Sequence, residues 1–226
     1  MSNTWHINLL KQGTYLWNQW RKNNPGIKPD LSWANLSKAQ LMGANLSGAN
    51  LTGANLYQAN LRGANLYQTN FSQAYLSEIV LAGADLSCAI LSDADFYAAD
   101  LTGSMLAAAI LIRAYLRRAT LTEANLYQAD LSEADCSKAN LYGACLTEAD
   151  LRGTNLAEAT LNRAYLGKAN LNEAILTDAD LTEANLVGAN LDATDLTHTI
   201  LSRANLKGTS LLHPPLFDGT RLPMSA

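Results

Sequence analysis

The sequence has few aromatic residues, few prolines and little net charge. Aromatic residues make up 7% of the 226 residues, there are 5 prolines, and the formal net charge is −4. With 48% hydrophobic residues the chain is too apolar to be disordered. A slightly acidic balance also argues against a surface that attracts phosphates. We therefore expect a folded protein that has no nucleic-acid partner.

Long apolar runs and paired cysteines are also missing. No run of about 18 apolar residues occurs, and the start, MSNTWHINLLKQG, lacks the basic and apolar regions of a signal peptide. The three cysteines, Cys88, Cys136 and Cys145, form no CxxC pair, which argues against a disulfide framework and against a zinc site. We expect a cytoplasmic protein with no membrane partner.

What the sequence does contain is a leucine at every fifth position. From Leu31 to Leu211 the series is broken in identity only by Phe71, Phe96 and Cys136, and it never shifts phase. Five residues advance an α-helix by about 500°, so the leucines would spiral around it, and along a strand they would alternate between faces. The chain must therefore turn once per five residues, so that every leucine faces the same interior.

The repeated motif A(N/D)LXX, as in ANLSGANLTGANLYQANLRG, resembles that of the pentapeptide repeat family. The resemblance implies an all-β solenoid, a right-handed quadrilateral β-helix with four pentads per coil and about nine coils over 29–213. At about 4.8 Å per coil the rod would be roughly 43 Å long. Ile79 stands where alanine is the rule, so we expect a local bulge there.

The N-terminal segment 1–28 is expected to be a helical cap, because an open coil exposes an apolar cross-section and a strand edge. An amphipathic helix is predicted over 5–22. Its helically spaced apolar residues are Leu9, Leu16 and Trp20, and its candidate N-caps are Ser2 and Thr4. The same region resembles an N-terminal segment of cyanobacterial pentapeptide repeat proteins. Because the first 29 residues carry a charge of +4, a membrane-surface or partner-binding helix is the alternative.

The C-terminal segment 214–226 leaves the five-residue period. Pro214 and Pro215 have no N–H group with which to extend a ladder of hydrogen bonds. We expect this segment to form an irregular C-terminal cap.

No arrangement of residues in the sequence suggests catalysis. The sides of such a rod are nearly flat, whereas catalysis needs convergent groups in a concave site. The three histidines fall in the N-terminal cap, the ninth coil and the tail. We therefore expect no enzymatic activity, no catalytic residue, no cofactor and no metal.

The resemblance also implies one competing function, which is the protection of gyrase by mimicry of duplex DNA. Residues 30–213 hold 19 acidic and 11 basic residues, a net charge of −8. A duplex as long as the rod would carry about 25 negative charges. The charge therefore disfavours a DNA mimic.

The function we expect is a rigid protein-interaction scaffold with an unidentified protein partner, and a purely structural spacer is the near alternative. A monomer is expected, with end-to-end dimerisation as the other option. Tyrosines recur on one side of the rod, one per coil over four coils, with arginines beside them. The candidate partner-binding residues are Tyr57, Tyr75, Tyr97, Tyr115, Arg117 and Arg118. The structural alternative is that the tyrosine rings stack and stabilise neighbouring coils.

Overall fold

The computed structural model describes residues 3–210, and the chain begins with two short helices, α1 (Thr4–Lys11) and α2 (Thr14–Asn23). The prediction of one helix over 5–22 is wrong, because Gly13, with a φ of 116°, separates the two. The N-cap of α1 is Asn3 rather than Ser2 or Thr4. Its side-chain oxygen accepts hydrogen bonds from the N–H groups of Trp5 and His6 at 3.0 and 3.3 Å.

After α2 the chain winds into stacked coils of twenty residues. Parallel backbone bridges join each residue before a leucine to the residue twenty positions later, from Asp30↔Asn50 to Asn190↔Ser210. The Leu31 N–H, for example, donates to the Asn50 carbonyl at 2.7 Å. Four pentads therefore complete one coil, and about nine coils are stacked. Within residues 3–210 each contact is a single bridge, and no longer strand forms.

The bridges give the extent of the described coils. The coils begin with Asp30, and the last bridge that is described ends at Ser210. The predicted cap over 214–226 lies outside the described residues. Neither α1 nor α2, the helices found in the described part of the chain, is long and apolar enough to cross a membrane.

Every pentad turns in the same way. The N–H of the residue three positions after each leucine closes the turn on the leucine carbonyl, as Ala34 does on Leu31 at 3.1 Å. The second residue after each leucine has a φ between 53° and 70° in every pentad from 33 to 208. One positive φ at the third turn position is typical of a type II turn and favours glycine. The sequence therefore places glycine at several of these positions, although most carry a side chain.

Where an asparagine or aspartate precedes the inward leucine, its side chain commonly supports the turn. Its Oδ1 accepts a hydrogen bond from the N–H two residues later, as Asn55 does from Tyr57 at 3.0 Å and Asp95 from Tyr97 at 2.9 Å. Such Asx turns explain why the repeat prefers Asn and Asp at this position.

The leucines of the repeat form a continuous core along the rod. They are buried from Leu31 to Leu201, and Leu206 is partly buried at the end of the described coils. Ile79 is fully buried, and the bridges on both sides of it keep their register of twenty, so the predicted bulge is absent. Ala59 and Ala99 occupy the same position in the coils below and above. We attribute the accommodation of Ile79 to these two small neighbours.

Helix α2 closes the first coil mainly through Trp17. Its indole is fully buried, and its Nε1–H donates to the Asn45 carbonyl at 2.7 Å. Asn18 accepts from the Asn45 N–H at 2.8 Å and donates to the Gly43 carbonyl at 2.9 Å. Leu16, by contrast, is 46% exposed, so it does not help to close the first coil.

Two further side chains complete the cap. The buried guanidinium of Arg21 donates to the Ser47 carbonyl at 2.7 Å and to the Ile27 carbonyl. His6 Nδ1 accepts from the Asp30 N–H at 3.2 Å. Burial lowers the pKa of His6, which favours the neutral imidazole that can accept this bond. The cap therefore satisfies backbone groups that the first coil would otherwise leave open.

Candidate partner-binding groove

A groove of about 870 Å³ runs along the side of the rod whose inward residues include Leu76, Phe96 and Leu116. We call it the aromatic groove. Its principal lining residues are Trp33, Tyr75, Tyr97, Tyr115, Arg117, Asp95 and Asp135. The rod therefore carries a concave surface on a side that the sequence predicts to be nearly flat.

Four of the six candidate partner-binding residues line the aromatic groove. Tyr75, Tyr97 and Tyr115 are 58%, 41% and 57% exposed, and Arg117 lies beside them. Tyr57 and Arg118 are not lining residues. The Tyr57 hydroxyl instead donates to Glu78 Oε1 at 3.4 Å.

The tyrosine rings do not stack on one another. The ring pairs in contact within residues 3–210 all lie in the cap, among Trp5, His6, Trp17 and Trp20. The alternative that the tyrosine rings stack and so stabilise neighbouring coils is therefore wrong. The reason is that tyrosines in successive coils alternate between the two sides of the inward residue, so the rings are staggered.

Tyrosine and aspartate alternate along one edge of the groove. Backbone bridges join Tyr75 to Asp95, Asp95 to Tyr115, and Tyr115 to Asp135, so the four side chains leave successive coils at one position. With coils about 4.8 Å apart, like residues are about 9.6 Å apart. The edge therefore presents two aromatic rings and two carboxylates with a common period.

The two carboxylates of this edge are held by hydrogen bonds and not by cations. Asp95 accepts from the Tyr97 N–H at 2.9 Å and from the Ser77 hydroxyl at 2.7 Å. Asp135 accepts from the Ser137 N–H at 3.0 Å. Neither carboxylate forms an ion pair in the described part of the chain. Two negative charges are therefore oriented, and they remain available to a positively charged ligand.

The groove contains two further charged residues, an aspartate that is neutralised and an arginine that is not. Asp93 is neutralised by Arg113, whose guanidinium donates to both carboxylate oxygens at 2.8 and 2.9 Å. Arg117 has no ion pair or side-chain hydrogen bond among residues 3–210. The groove thus offers two carboxylates and one guanidinium, with a net negative charge.

Trp33 also lines the groove, although it is not among the candidate partner-binding residues. Its indole is 66% exposed and lies directly over Gly53, where an added Cβ would collide with Trp33 Cε3. Trp33 follows the preceding side of the coil, so its place in the repeat alone does not assign it to this groove. The sequence signal for this contact is the glycine twenty residues later, because a residue without a Cβ leaves space for the ring beside the backbone.

Replacing Gly53 by alanine is expected to displace the Trp33 indole. Gly83 provides a matched control, because its φ of 66° is close to the 63° of Gly53 and no atom lies near its added Cβ. Both substitutions place a side chain at positive φ, which costs about 1 kcal/mol, but only Gly53→Ala adds a collision. Tryptophan emission should change in Gly53→Ala alone, and its melting temperature should fall further. Identical spectra and melting temperatures in the two variants would contradict this contact.

The described residues offer little for catalysis or metal binding. Burial raises the pKa of the Cys136 thiol to about 12, so the thiol stays protonated and unreactive. Residues 3–210 contain no group of three or more His, Cys, Asp or Glu side chains that could hold a metal ion.

The stacked coils define a repeat protein. The sequence model described as pentapeptide repeats matches the chain with 8 copies, at residues 30–68, 64–103, 109–147, 134–173 and 174–211. The chain therefore belongs to the pentapeptide repeat family, and this membership implies a right-handed β-helix.

Solved structures of the family resemble the chain to different degrees. HetL, a pentapeptide repeat protein involved in heterocyst differentiation regulation in the cyanobacterium Nostoc sp. strain PCC 7120, is 34% identical. That match covers 85% of this chain and 92% of HetL, with a TM-score of 0.52. A pentapeptide repeat protein of the Arabidopsis thaliana thylakoid lumen is 34% identical over 44% of this chain and 66% of its own, with a TM-score of 0.29.

A trypsin-treated form of QnrB1, a plasmid-mediated fluoroquinolone resistance protein, is more distant. It is 18% identical, and the match covers 78% of this chain and 88% of that one, with a TM-score of 0.44. A search of curated protein sequences found no match.

Proposed function

We propose that this protein is a non-enzymatic, rigid scaffold of the cytoplasm that binds a protein partner through the aromatic groove. The observation that carries the proposal is the convergence of Trp33, Tyr75, Tyr97 and Tyr115 beside Arg117 in one exposed groove. Tyr, Trp and Arg are the residue types enriched in interface hot spots. HetL is involved in the regulation of heterocyst differentiation, and a regulatory role for this chain would require a binding partner.

The repeat itself gives a reason to prefer an interface over a structural role for the tyrosines. Tyr75 and Tyr115 occupy the position where asparagine or aspartate would make the Asx turn, and a phenol cannot make that bond. The tyrosine rings also make no contact with one another that would make up for the lost hydrogen bond. Tyr75 and Tyr115 forgo this bond in the same exposed groove as Tyr97, and this convergence favours a binding surface.

The surface charges disfavour mimicry of duplex DNA as the function. Acidic residues of the described coils are partly neutralised by neighbours, as Asp150 is by Arg152 at 2.7 Å and Glu183 is by Arg163 at 2.8 Å. A duplex mimic needs a continuous row of unneutralised negative charges.

Replacing Tyr75 and Tyr97 together by serine is expected to abolish capture of the partner and leave the melting temperature unchanged. Tagged protein would be used to capture partners from a lysate of the source organism, with quantification by mass spectrometry. Tyr165→Ser is the matched control, because Tyr165 is also exposed and precedes an inward leucine, but lies on another side of the rod.

Only a protein enriched by the wild type and by Tyr165→Ser, and lost in the double variant, supports the proposal. If captured proteins are the same for all three, or if the double variant melts at a clearly lower temperature and keeps its partner, the groove is part of the framework and the proposal fails.

A further inference from the structure

We propose that the segment bound by the aromatic groove is a proline-rich stretch of the partner in the polyproline II conformation, with a basic residue at every third position. This inference rests on the proposed function and names the chemistry of the partner. It follows from the spacing of the groove residues and from their charge.

The period of the groove matches the period of a polyproline II helix. Tyr75 and Tyr115 leave coils two apart, and so do Asp95 and Asp135. Two coils span about 9.6 Å, and one turn of polyproline II, three residues at 3.1 Å, spans about 9.3 Å. A ligand in this conformation, lying along the rod, would therefore present equivalent residues to both tyrosines and to both aspartates at once.

An extended β-strand fits the same groove poorly. Residues on one face of a strand recur about every 6.8 Å, so a residue aligned with Tyr75 leaves the next one between the coils. A proline-rich segment has a second advantage, because it is already ordered before it binds and loses little conformational entropy. Grooves lined with aromatic side chains are an established way of binding such segments.

The charge of the groove selects a basic ligand. Asp95 and Asp135 have their orientation fixed by the Tyr97 and Ser137 N–H groups, and no cation neutralises them in the described residues. A ligand arginine beside either carboxylate would also lie near a tyrosine face, where a cation is attracted by the ring. Acidic segments and single-stranded nucleic acid would be repelled by these carboxylates.

Arg117 has a separate role in this arrangement. Its guanidinium lines the groove without an ion pair among residues 3–210. Arg117 follows the inward residue Leu116, whereas Tyr115 precedes it, so the two lie on opposite edges of the groove. Carbonyl groups of a polyproline II segment have no internal hydrogen bonds. Arg117 can therefore donate to the ligand backbone while the aspartates hold its basic side chains.

The experiment measures binding of the full-length protein to the labelled peptide PPRPPRPP by fluorescence anisotropy. Two further peptides serve as controls: GGRGGRGG has the same charge without the conformation, and PPEPPEPP has the conformation with the opposite charge. We expect PPRPPRPP to bind, and each control peptide to bind about tenfold more weakly or not at all.

Variants then assign the binding to the groove. Tyr75→Asn together with Tyr115→Asn removes both rings and restores two Asx turns, so the melting temperature should be unchanged or higher and the affinity for PPRPPRPP should fall at least about tenfold. Asp95→Asn together with Asp135→Asn should weaken PPRPPRPP binding to a similar extent. Tyr165→Asn, which restores the same turn on another side, should leave the affinity unchanged.

Several results would overturn the inference. They are the absence of binding up to about 1 mM PPRPPRPP, equal affinity for GGRGGRGG, and an affinity that Tyr75→Asn with Tyr115→Asn does not change. Tighter binding of a peptide of residues 211–226, which contains Pro214 and Pro215, would assign the groove to the protein's own tail. If PPRPPRPP fails while the partner is still lost on replacement of Tyr75 and Tyr97, the scaffold stands and only the chemistry of the ligand is wrong.

Discussion

Replacing Trp17 by alanine is expected to destabilise the protein by about 3 to 5 kcal/mol, the cost of removing a large buried aromatic side chain. The indole is fully buried against the first coil, and its Nε1–H donates to the Asn45 carbonyl. Thermal denaturation should show a melting temperature about 10 °C lower, since 1 kcal/mol corresponds to about 2 to 4 °C for a chain of this size.

The position of the damage should be visible as well. In a solenoid each coil contacts only its neighbours, so loss of the cap acts first on the nearest coil. Hydrogen exchange should therefore accelerate in residues 30–50 before it does so in the middle of the rod. Tyr15→Ala is the control, because Tyr15 lies in the same helix and is 74% exposed. An equal loss of stability in both variants would mean that helix formation, rather than the burial of Trp17, stabilises the rod.

Replacing Ile79 by alanine is expected to destabilise the protein by about 2 to 5 kcal/mol. Strain from an oversized residue would predict the opposite sign. The side chain is fully buried and the bridges around it are regular, so alanine would leave a cavity rather than relieve a clash. Chemical denaturation of the variant measures the loss directly.

Ile79→Val is the matched variant, and it should cost only about 0.5 to 1.5 kcal/mol. Ala99→Ile supplies the converse test, because it adds a second large residue directly above Ile79 and should overpack the core. Should Ile79→Ala prove as stable as the wild type or more so, the coil around residue 79 is under strain despite its regular bridges.

The sequence predicts the core and the winding of the chain because both follow from one period. A leucine at every fifth residue can face one interior only if the chain turns once per pentad, and the family resemblance adds four turns per coil. The break between the two helices is harder to predict. The apolar spacing of Leu9, Leu16 and Trp20 runs through Gly13, and only the backbone shows that Gly13 takes a φ no continuous helix allows.

Only part of the groove follows from the sequence. Counting in twenties places Tyr75, Tyr97 and Tyr115 on one side of the rod, and the structure places them in one groove. The same count cannot give the direction in which Trp33 leans, because a side chain at a corner can cover either adjoining side. The alternation of Tyr75 with Asp95 was present in the sequence, but the repeat prefers Asp there for its turn, and that preference hides a second role.

The twenty-residue register ties the length of the chain to the orientation of its surfaces. An insertion of twenty residues would add one complete coil, lengthen the rod by about 4.8 Å and leave every side aligned. An insertion of five residues, one pentad, would keep every leucine inside but rotate everything that follows by a quarter turn. Placed between Tyr97 and Tyr115, it would move Tyr115 and Asp135 to an adjoining side while the core stayed intact. Whole coils are therefore the unit in which such a protein can grow and still keep a surface that spans several coils.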